Sequence, residues 1–104
     1  MSTFFVSRHP GAIEWAARQH LHIDRVVPHL DPALLQPGDT VIGSLPVNLA
    51  AQVCAAGAAY WHLCLELPAE LRGRELSAHD MERLGASLQE FRVEYASSNF
   101  SEVS

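Results

Sequence analysis

Short apolar runs alternate with stretches of helical spacing along this chain. Runs of Phe, Val, Ile and Leu bounded by turn residues are typical of strands, whereas apolar residues at every third or fourth position indicate helices. The apolar runs predict five strands: Thr3–Val6, Asp24–Pro28, Thr40–Gly43, Ala59–Leu67 and Phe91–Tyr95. The helical spacing predicts three helices, which cover Pro10–His20, Pro46–Ala56 and a stretch that starts at Ser77 and includes Leu88.

Residues with special backbone preferences mark where these elements begin and end. Pro10 suits the first position of a helix, because its missing N–H would be unpaired there in any case. Gly57 is a natural stop after the second helix. Ser77 and Asp80 match a capping box, which starts the third helix. The proline-rich loop after the second strand is predicted to hold one helical turn at Pro32–Leu35.

The predicted order β-α-β-β-α-β-α-β is typical of an α/β domain with a mostly parallel sheet. We therefore predict a small Rossmann-like, three-layer domain of about five strands and about three helices. This single domain is placed at residues 1–96, and residues 97–104 are predicted to form a polar, flexible tail.

The junction between the first strand and the first helix carries the strongest candidate chemistry: Ser7, Arg8, His9, Pro10 and Gly11. Ligands of open α/β sheets bind at the carboxyl ends of strands. Free N–H groups and the positive end of the helix dipole favour anions there, above all phosphate. Arginine adds a fixed cation, and histidine adds a titratable group. We predict an anion site here, and the alternative assignment of His9 as a helix cap or surface residue stays open.

Two further loops are predicted to reach the same edge of the sheet. Gly43, Ser44 and Leu45 follow the third strand and repeat the order strand, small polar residue, proline, helix. Arg72 and Arg74 lie in the loop after the fourth strand. Because the carboxyl ends of parallel strands meet at one edge, we expect a single anion pocket lined by three loops.

Composition and charge limit the kinds of partner that this chain is expected to bind. The net charge is −5, with seven arginines and no lysine, so the chain is a poor candidate for binding a nucleic-acid duplex. No apolar run approaches the ~18 residues of a membrane span. The start shows no basic region of a signal peptide, so we expect a cytoplasmic protein.

Cys54 and Cys64 form no C-x-x-C pair and are predicted to be small core residues.

Several common motifs are missing from the sequence. Without a Walker loop or a G-x-G-x-x-G pattern, neither a nucleoside triphosphate nor a dinucleotide cofactor is expected. No histidine pair has the H-E-x-x-H spacing, so no metal is predicted, and no G-x-S-x-G elbow indicates a hydrolase serine. Arg8 and His9 resemble the R-H-G signature of histidine phosphatases, whose histidine is phosphorylated, but Pro10 separates His9 from Gly11 here.

Four segments resemble the small type III CRISPR-associated Csx-sixteen family. They are F-F-V-S-R-H-P-G-A at 4–12, D-R-V-V-P-H-L-D at 24–31, P-G-D-T-V-I-G-S-L-P-V-N-L-A at 37–50 and L-P-A-E-L-R-G-R-E-L-S at 67–77. The resemblance covers about residues 3–95. It implies a domain like the CRISPR-associated Rossmann fold (CARF-like) and a ring nuclease that degrades cyclic tetra-adenylate, an alarm signal of antiviral defence.

The resemblance also implies a chemistry and roles for the candidate residues. A ribose 2′-hydroxyl attacks its own 3′-phosphodiester in line and expels the 5′-oxygen, which yields linear adenylates with a 2′,3′-cyclic phosphate. No metal is required if the protein orients the ribose and stabilises the developing charge. His9 would act as general acid or base, with Arg8 and Ser7 as further catalytic residues. Four more side chains would position or clamp the ligand: Ser44, Asn48, Arg72 and Arg74.

Cyclic tetra-adenylate has rotational symmetry, and 104 residues cannot enclose it. The economical arrangement is a two-fold homodimer with the ring across the axis, so that both copies contribute to the site. Two alternatives stay open. One is a module that binds cyclic oligoadenylate without cutting it, as a sink or a sensor, and the other is a small histidine-type phosphoesterase.

Overall fold

The computed structural model describes residues 1–96, and the predicted tail at 97–104 lies outside them. Within this range the chain forms five strands: β1 Thr3–Val6, β2 Arg25–Val27, β3 Thr40–Gly43, β4 Ala59–Cys64 and β5 Ser87–Phe91. It also forms three α-helices: α1 Pro10–Arg18, α2 Val47–Ala55 and α3 Ala78–Arg83. Single 3-10 turns lie at Pro32–Leu34 and Ala69–Leu71. The element order confirms the predicted small α/β domain.

The strands form one sheet in the order β2-β1-β3-β4-β5. β1 pairs in parallel with both β2 and β3, β3 pairs in parallel with β4, and β5 is antiparallel to β4. The sheet is thus mostly parallel, as predicted. Its order reverses between β1 and β3, because the chain first winds towards β2 and then crosses back past β1. A reversal of this kind opens a crevice at the carboxyl ends of the two strands.

Alternate residues of the central strands build a core on each face of the sheet. Phe4 and Val41 pack with residues of α2 on one face, whereas Phe5 and Ile42 pack with residues of α1 and α3 on the other. Phe5 and Val41 are fully buried, and burying one such side chain contributes about 1.5–3 kcal/mol. The three-layer prediction is therefore confirmed, and α1 and α2 start at the crevice from opposite faces.

Two aspartates anchor the amino end of β1, opposite the crevice. Asp39 is only 6% exposed, and its carboxylate accepts hydrogen bonds from the N–H groups of Gln36 at 2.9 Å and Ser2 at 2.8 Å. Asp24 accepts from the N–H of Thr3 at 2.7 Å. The N–H groups of Gln36 and Ser2 hold the pKa of Asp39 below its usual value, and the N–H of Thr3 does the same to the pKa of Asp24. Charged carboxylates thus tie β1 to the segments that precede β2 and β3.

The last helix and strand differ from the prediction. α3 has only six residues, and β5 covers Ser87–Phe91, so it ends at the residue where the predicted strand Phe91–Tyr95 begins. The cause is Gly85, whose φ of 73° is the left-handed conformation that commonly follows a helix. Leu88 therefore lies in β5, opposite Leu63 of β4, and not in the helix. β4 likewise ends before the predicted Leu67, where the chain turns away from the sheet.

Gly11 allows the first turn of α1 to approach the segment before α3 closely. A Cβ atom at this position would collide with the backbone carbonyl of Leu76 and lie 3.1 Å from the Cα of Ser77. Gly11 is buried in this contact. In the structure Gly11 therefore has a packing role, which brings residues 75–77 beside the start of α1.

Gly11→Ala is expected to lower the free energy of unfolding by about 3 kcal/mol, at the upper end of the usual cost of overpacking, because backbone atoms must move apart. Gly73→Ala is the matched control, since Gly73 has a φ of 81° and nothing within 4 Å of a Cβ there. Its strained conformation alone should cost about 1 kcal/mol. Urea unfolding measures both variants, and a Gly11→Ala protein as stable as the wild type would contradict the close approach.

Candidate functional site

A cavity of about 500 Å³ opens at the reversal between β1 and β3, and we name it the main cavity. Its size is within the ~300–1,000 Å³ usual for small-molecule sites. The loops that follow β1, β2 and β3 line it, together with Leu63 of β4. Six of the predicted site residues lie in its wall: Ser7, Arg8, His9, Gly43, Ser44 and Leu45.

Hydrogen bonds fix the loop after β1. The N–H of Ser7 donates to the carbonyl of Val27 at 3.0 Å, and the hydroxyl oxygen of Ser7 accepts from the N–H of His9 at 3.1 Å. The carbonyl of His9 accepts from Ala12 at 3.1 Å and from Ile13 at 3.2 Å, which starts α1. The imidazole itself makes no capping bond. His9 therefore precedes the helix without capping it through its side chain.

Arg8 supplies positive charge at the main cavity. Its side chain is exposed and forms no ion pair with any residue in 1–96. By contrast, Arg18 of α1 pairs with Glu14 at 3.4 Å and with Glu82 at 3.3 Å. A guanidinium that no described carboxylate neutralises, at the carboxyl end of a strand, is well suited to bind phosphate.

The buried hydroxyl of Tyr60 holds the loop after β3. Its oxygen accepts from the N–H of Leu45 at 2.9 Å, lies 3.2 Å from the carbonyl oxygen of Gly43 and lies 2.6 Å from Nδ1 of His62. A phenol carries one proton, so Tyr60 donates either to Gly43 or to His62. Burial raises the pKa of Tyr60 above its usual value, so the hydroxyl stays protonated.

Ser44 and Asn48 differ in what they can offer a ligand. The hydroxyl of Ser44 donates to the carbonyl of Leu63 at 3.2 Å, so its oxygen remains free to accept a hydrogen bond. Ser44 can therefore accept from a ribose hydroxyl, whereas its proton is already engaged. Asn48 lies in the first turn of α2 but does not line the main cavity, where Leu49 and Pro46 lie instead.

The third loop at the main cavity follows β2 and not β4. Pro28, His29 and Leu30 line the cavity, and the sequence prediction did not select them. The signal that could have found them is the parallel rule itself, because β2 ends at the same edge as β1. Arg72 does not line the main cavity, and Arg74 lies at a smaller cavity beside it.

This side cavity, of about 190 Å³, shares His9, Ala12 and Leu63 with the main cavity. Arg74 and Glu75 line the side cavity only. Nδ1 of His9 lies 3.0 Å from Oε1 of Glu75. Nothing in the local sequence pattern links these two residues, which the fold brings together across most of the chain. Glu75 is therefore the residue at the site that sequence reasoning could least have found.

The described part of the chain shows no cluster of three His, Cys, Asp or Glu side chains that could hold a metal ion. Within residues 1–96 no helix has the length and apolar character needed to cross a bilayer.

The two cysteines are half-buried free thiols, and Sγ of Cys54 accepts from the N–H of Val93 at 3.4 Å. Cys54 packs at the border of the core on the α2 face, as a small apolar residue would.

A family model described as "Putative CRISPR-associated protein (Cas_VVA1548)" matches residues 4–94. The chain belongs to this family. The match spans both helix starts at the main cavity and the loop that carries Glu75. No curated protein and no solved structure matches the chain. Membership of the family associates the chain with CRISPR systems.

Tyr60→Phe is expected to lower the free energy of unfolding by about 1–3 kcal/mol, because the N–H of Leu45 loses its partner in a partly buried site. Tyr95→Phe is the matched control. Tyr95 is 63% exposed and its hydroxyl donates to the carbonyl of Asn48 at 3.4 Å, so the effect should stay within about 0.5 kcal/mol. Chemical denaturation compares the two, and equal losses would contradict the anchoring role of Tyr60.

Proposed function

We propose that this protein is a ring nuclease that degrades cyclic tetra-adenylate, the second messenger of type III CRISPR defence. One observation carries the proposal, in a chain that belongs to a CRISPR-associated family. The main cavity brings together Arg8, which has no ion-pair partner among residues 1–96, His9 and the starts of α1 and α2. The resemblance to the Csx-sixteen family supplies the ligand class.

The main cavity offers a complementary group to each part of this ligand. Arg8 and the helix starts favour a phosphodiester. The oxygen of Ser44 can accept from a ribose hydroxyl. Leu45, Leu49 and Leu63 offer apolar surface to the faces of the adenines. Because the net charge of the chain is −5, the attraction for phosphate is local to the cavity and does not extend along a duplex.

The proposed reaction needs positioning and proton transfer, and it proceeds without a cofactor. A ribose 2′-oxygen bonds to the adjoining phosphorus while the bond from phosphorus to the 5′-oxygen breaks. The products carry a 2′,3′-cyclic phosphate and a 5′-hydroxyl. Arg8 would offset the charge that develops on the phosphoryl oxygens, and His9 would transfer the proton. Holding the ring so that the attacking and leaving oxygens lie in line is a large part of the catalysis.

Two copies of the chain complete the site in this proposal. A cavity of about 500 Å³ is too small for a ring of four nucleotides. A two-fold homodimer would place two such cavities around a ligand that itself has rotational symmetry. Each copy would then contribute one Arg8 and one His9, so that a ring could be cut twice to give linear di-adenylate.

Incubation of the protein with excess cyclic tetra-adenylate in EDTA tests the proposal. Chromatography over time should show many rings per chain converted to linear di-adenylate with cyclic phosphate ends. An intact ring that co-elutes with the protein would indicate a sink or sensor instead. An intact, unbound ring would contradict cyclic tetra-adenylate as the ligand, and turnover of a generic phosphomonoester would favour the histidine-type phosphoesterase.

Two variants separate catalysis from binding, with cleavage followed by the same chromatography and binding followed by co-elution of the ring with the protein. His9→Ala should slow cleavage about 100-fold or more and leave binding nearly unchanged, since proton transfer contributes ~10²–10⁴-fold. Arg8→Ala should weaken binding about tenfold to 100-fold, as expected for a lost charged hydrogen bond, and slow cleavage too. His79→Ala and Arg83→Ala, exposed residues of α3 outside both cavities, are the matched controls. Equal losses of binding and cleavage in His9→Ala would rule out its acid–base role.

A further inference from the structure

We infer that Glu75 is a positioning residue for His9, whose carboxylate holds Nδ1–H and so turns Nε2 of the imidazole towards the substrate. The inference rests on the proposed function, because it explains how His9 would work in phosphodiester cleavage. The pair corresponds to the carboxylate and histidine of a catalytic triad, with the 2′-hydroxyl of the substrate in the place of a serine.

The geometry of the pair supports an orienting contact. Nδ1 of His9 lies 3.0 Å from Oε1 of Glu75, within the range of a hydrogen bond between an imidazole and a carboxylate. Contacts of the neighbouring residues hold the two segments close together. The N–H of His9 donates to the hydroxyl oxygen of Ser7, and the carbonyl of Leu76 packs directly against Gly11. The close approach of Leu76 to Gly11 thus lies one residue from Glu75 and two residues from His9.

The hydrogen bond determines which nitrogen of His9 is free to act. A carboxylate accepts hydrogen bonds and donates none, so Nδ1 must carry the proton and Nε2 of the neutral imidazole becomes the acceptor. Nε2 then takes the proton of the 2′-hydroxyl as the 2′-oxygen bonds to phosphorus. The bond to the 5′-oxygen breaks, that oxygen takes a proton from water, and the imidazolium returns its proton to solvent. Glu75 stabilises the imidazolium while it exists.

Glu75 acts through His9, without touching the ligand. It lines the side cavity and not the main cavity, whereas His9 lines both. The side chains of His9 and Glu75 are 67% and 64% exposed, so the pair contributes little to folding. Removal of a merely structural contact at this exposure would leave turnover unchanged. Removal of an orienting carboxylate should lower kcat and spare KM, because Arg8 and the helix starts still bind the phosphate.

The first test determines the tautomer of His9 in the full-length protein without a ligand. Long-range ¹⁵N–¹H spectra, recorded at a pH at which the imidazole is neutral, distinguish Nδ1–H from Nε2–H, and His9→Ala assigns the signal. The wild type should show Nδ1–H, and Glu75→Ala should shift His9 towards Nε2–H. Glu70→Ala removes an exposed carboxylate from the same loop and should change nothing. Nε2–H in the wild type would overturn the inference.

The second test measures turnover of cyclic tetra-adenylate. Glu75→Ala should lower kcat about 10–100-fold, a part of what a positioned acid–base group contributes, and leave KM within about twofold. Equal effects of Glu75→Ala and Glu70→Ala would overturn the positioning role. A wild-type protein that shows Nδ1–H but does not turn over the ring would refute the ring-nuclease proposal, and the arrangement of His9 by Glu75 would stand.

Discussion

β1 pairs with β2 on one side and with β3 on the other, and the rest of the structure depends on this central position. α1 packs on one face of the sheet and α2 packs on the other. Because β1 and β3 are parallel, both helices begin at the same end of these strands. Val6 and Gly43 are register partners there. A Cβ atom at Gly43 would lie only 3.0 Å from the carbonyl oxygen of Val6, so this end of the strand pair accommodates no larger residue without movement. The crevice therefore results from the strand order and the backbone, whereas the side chains in its wall determine which chemical groups it can bind.

Two residues from other parts of the fold hold groups at the crevice in place. The hydroxyl of Tyr60, in β4, contacts the backbone of the loop after β3 at Gly43 and Leu45. The carboxylate of Glu75, in the segment before α3, contacts the imidazole of His9. Arg8 has no such partner in residues 1–96. This contrast matches the chemistry proposed, since a proton-transfer group needs a defined orientation whereas a cation needs only to be near phosphate.

Much of the fold is predictable because its signals are local. Pro10, the capping box of Ser77 and Asp80, and Gly57 with its φ of 84° each determine a helix end through contacts within a few residues. Local signals of the same kind predict the two strand-to-helix junctions. These junctions carry the six predicted site residues that line the main cavity.

The remaining features depend on contacts between distant parts of the chain. The pair of His9 and Glu75 lies beside the close approach of Leu76 to Gly11, and no spacing of residues in the sequence predicts either contact. Asn48 and Leu49 are neighbours in α2, and the rotation of the helix against the sheet determines that only Leu49 faces the cavity. Local propensity does not determine such a rotation.

The decisive measurement is a crystal structure of the protein with 2′-deoxy cyclic tetra-adenylate, which lacks the attacking hydroxyls. We expect one ring between two copies of the chain, with a phosphate within hydrogen-bond distance of Arg8 and its adjoining C2′ beside Nε2 of His9 in the main cavity. A ring bound away from the ends of β1 and β3, or contacts that leave Arg8 and His9 free, would contradict it.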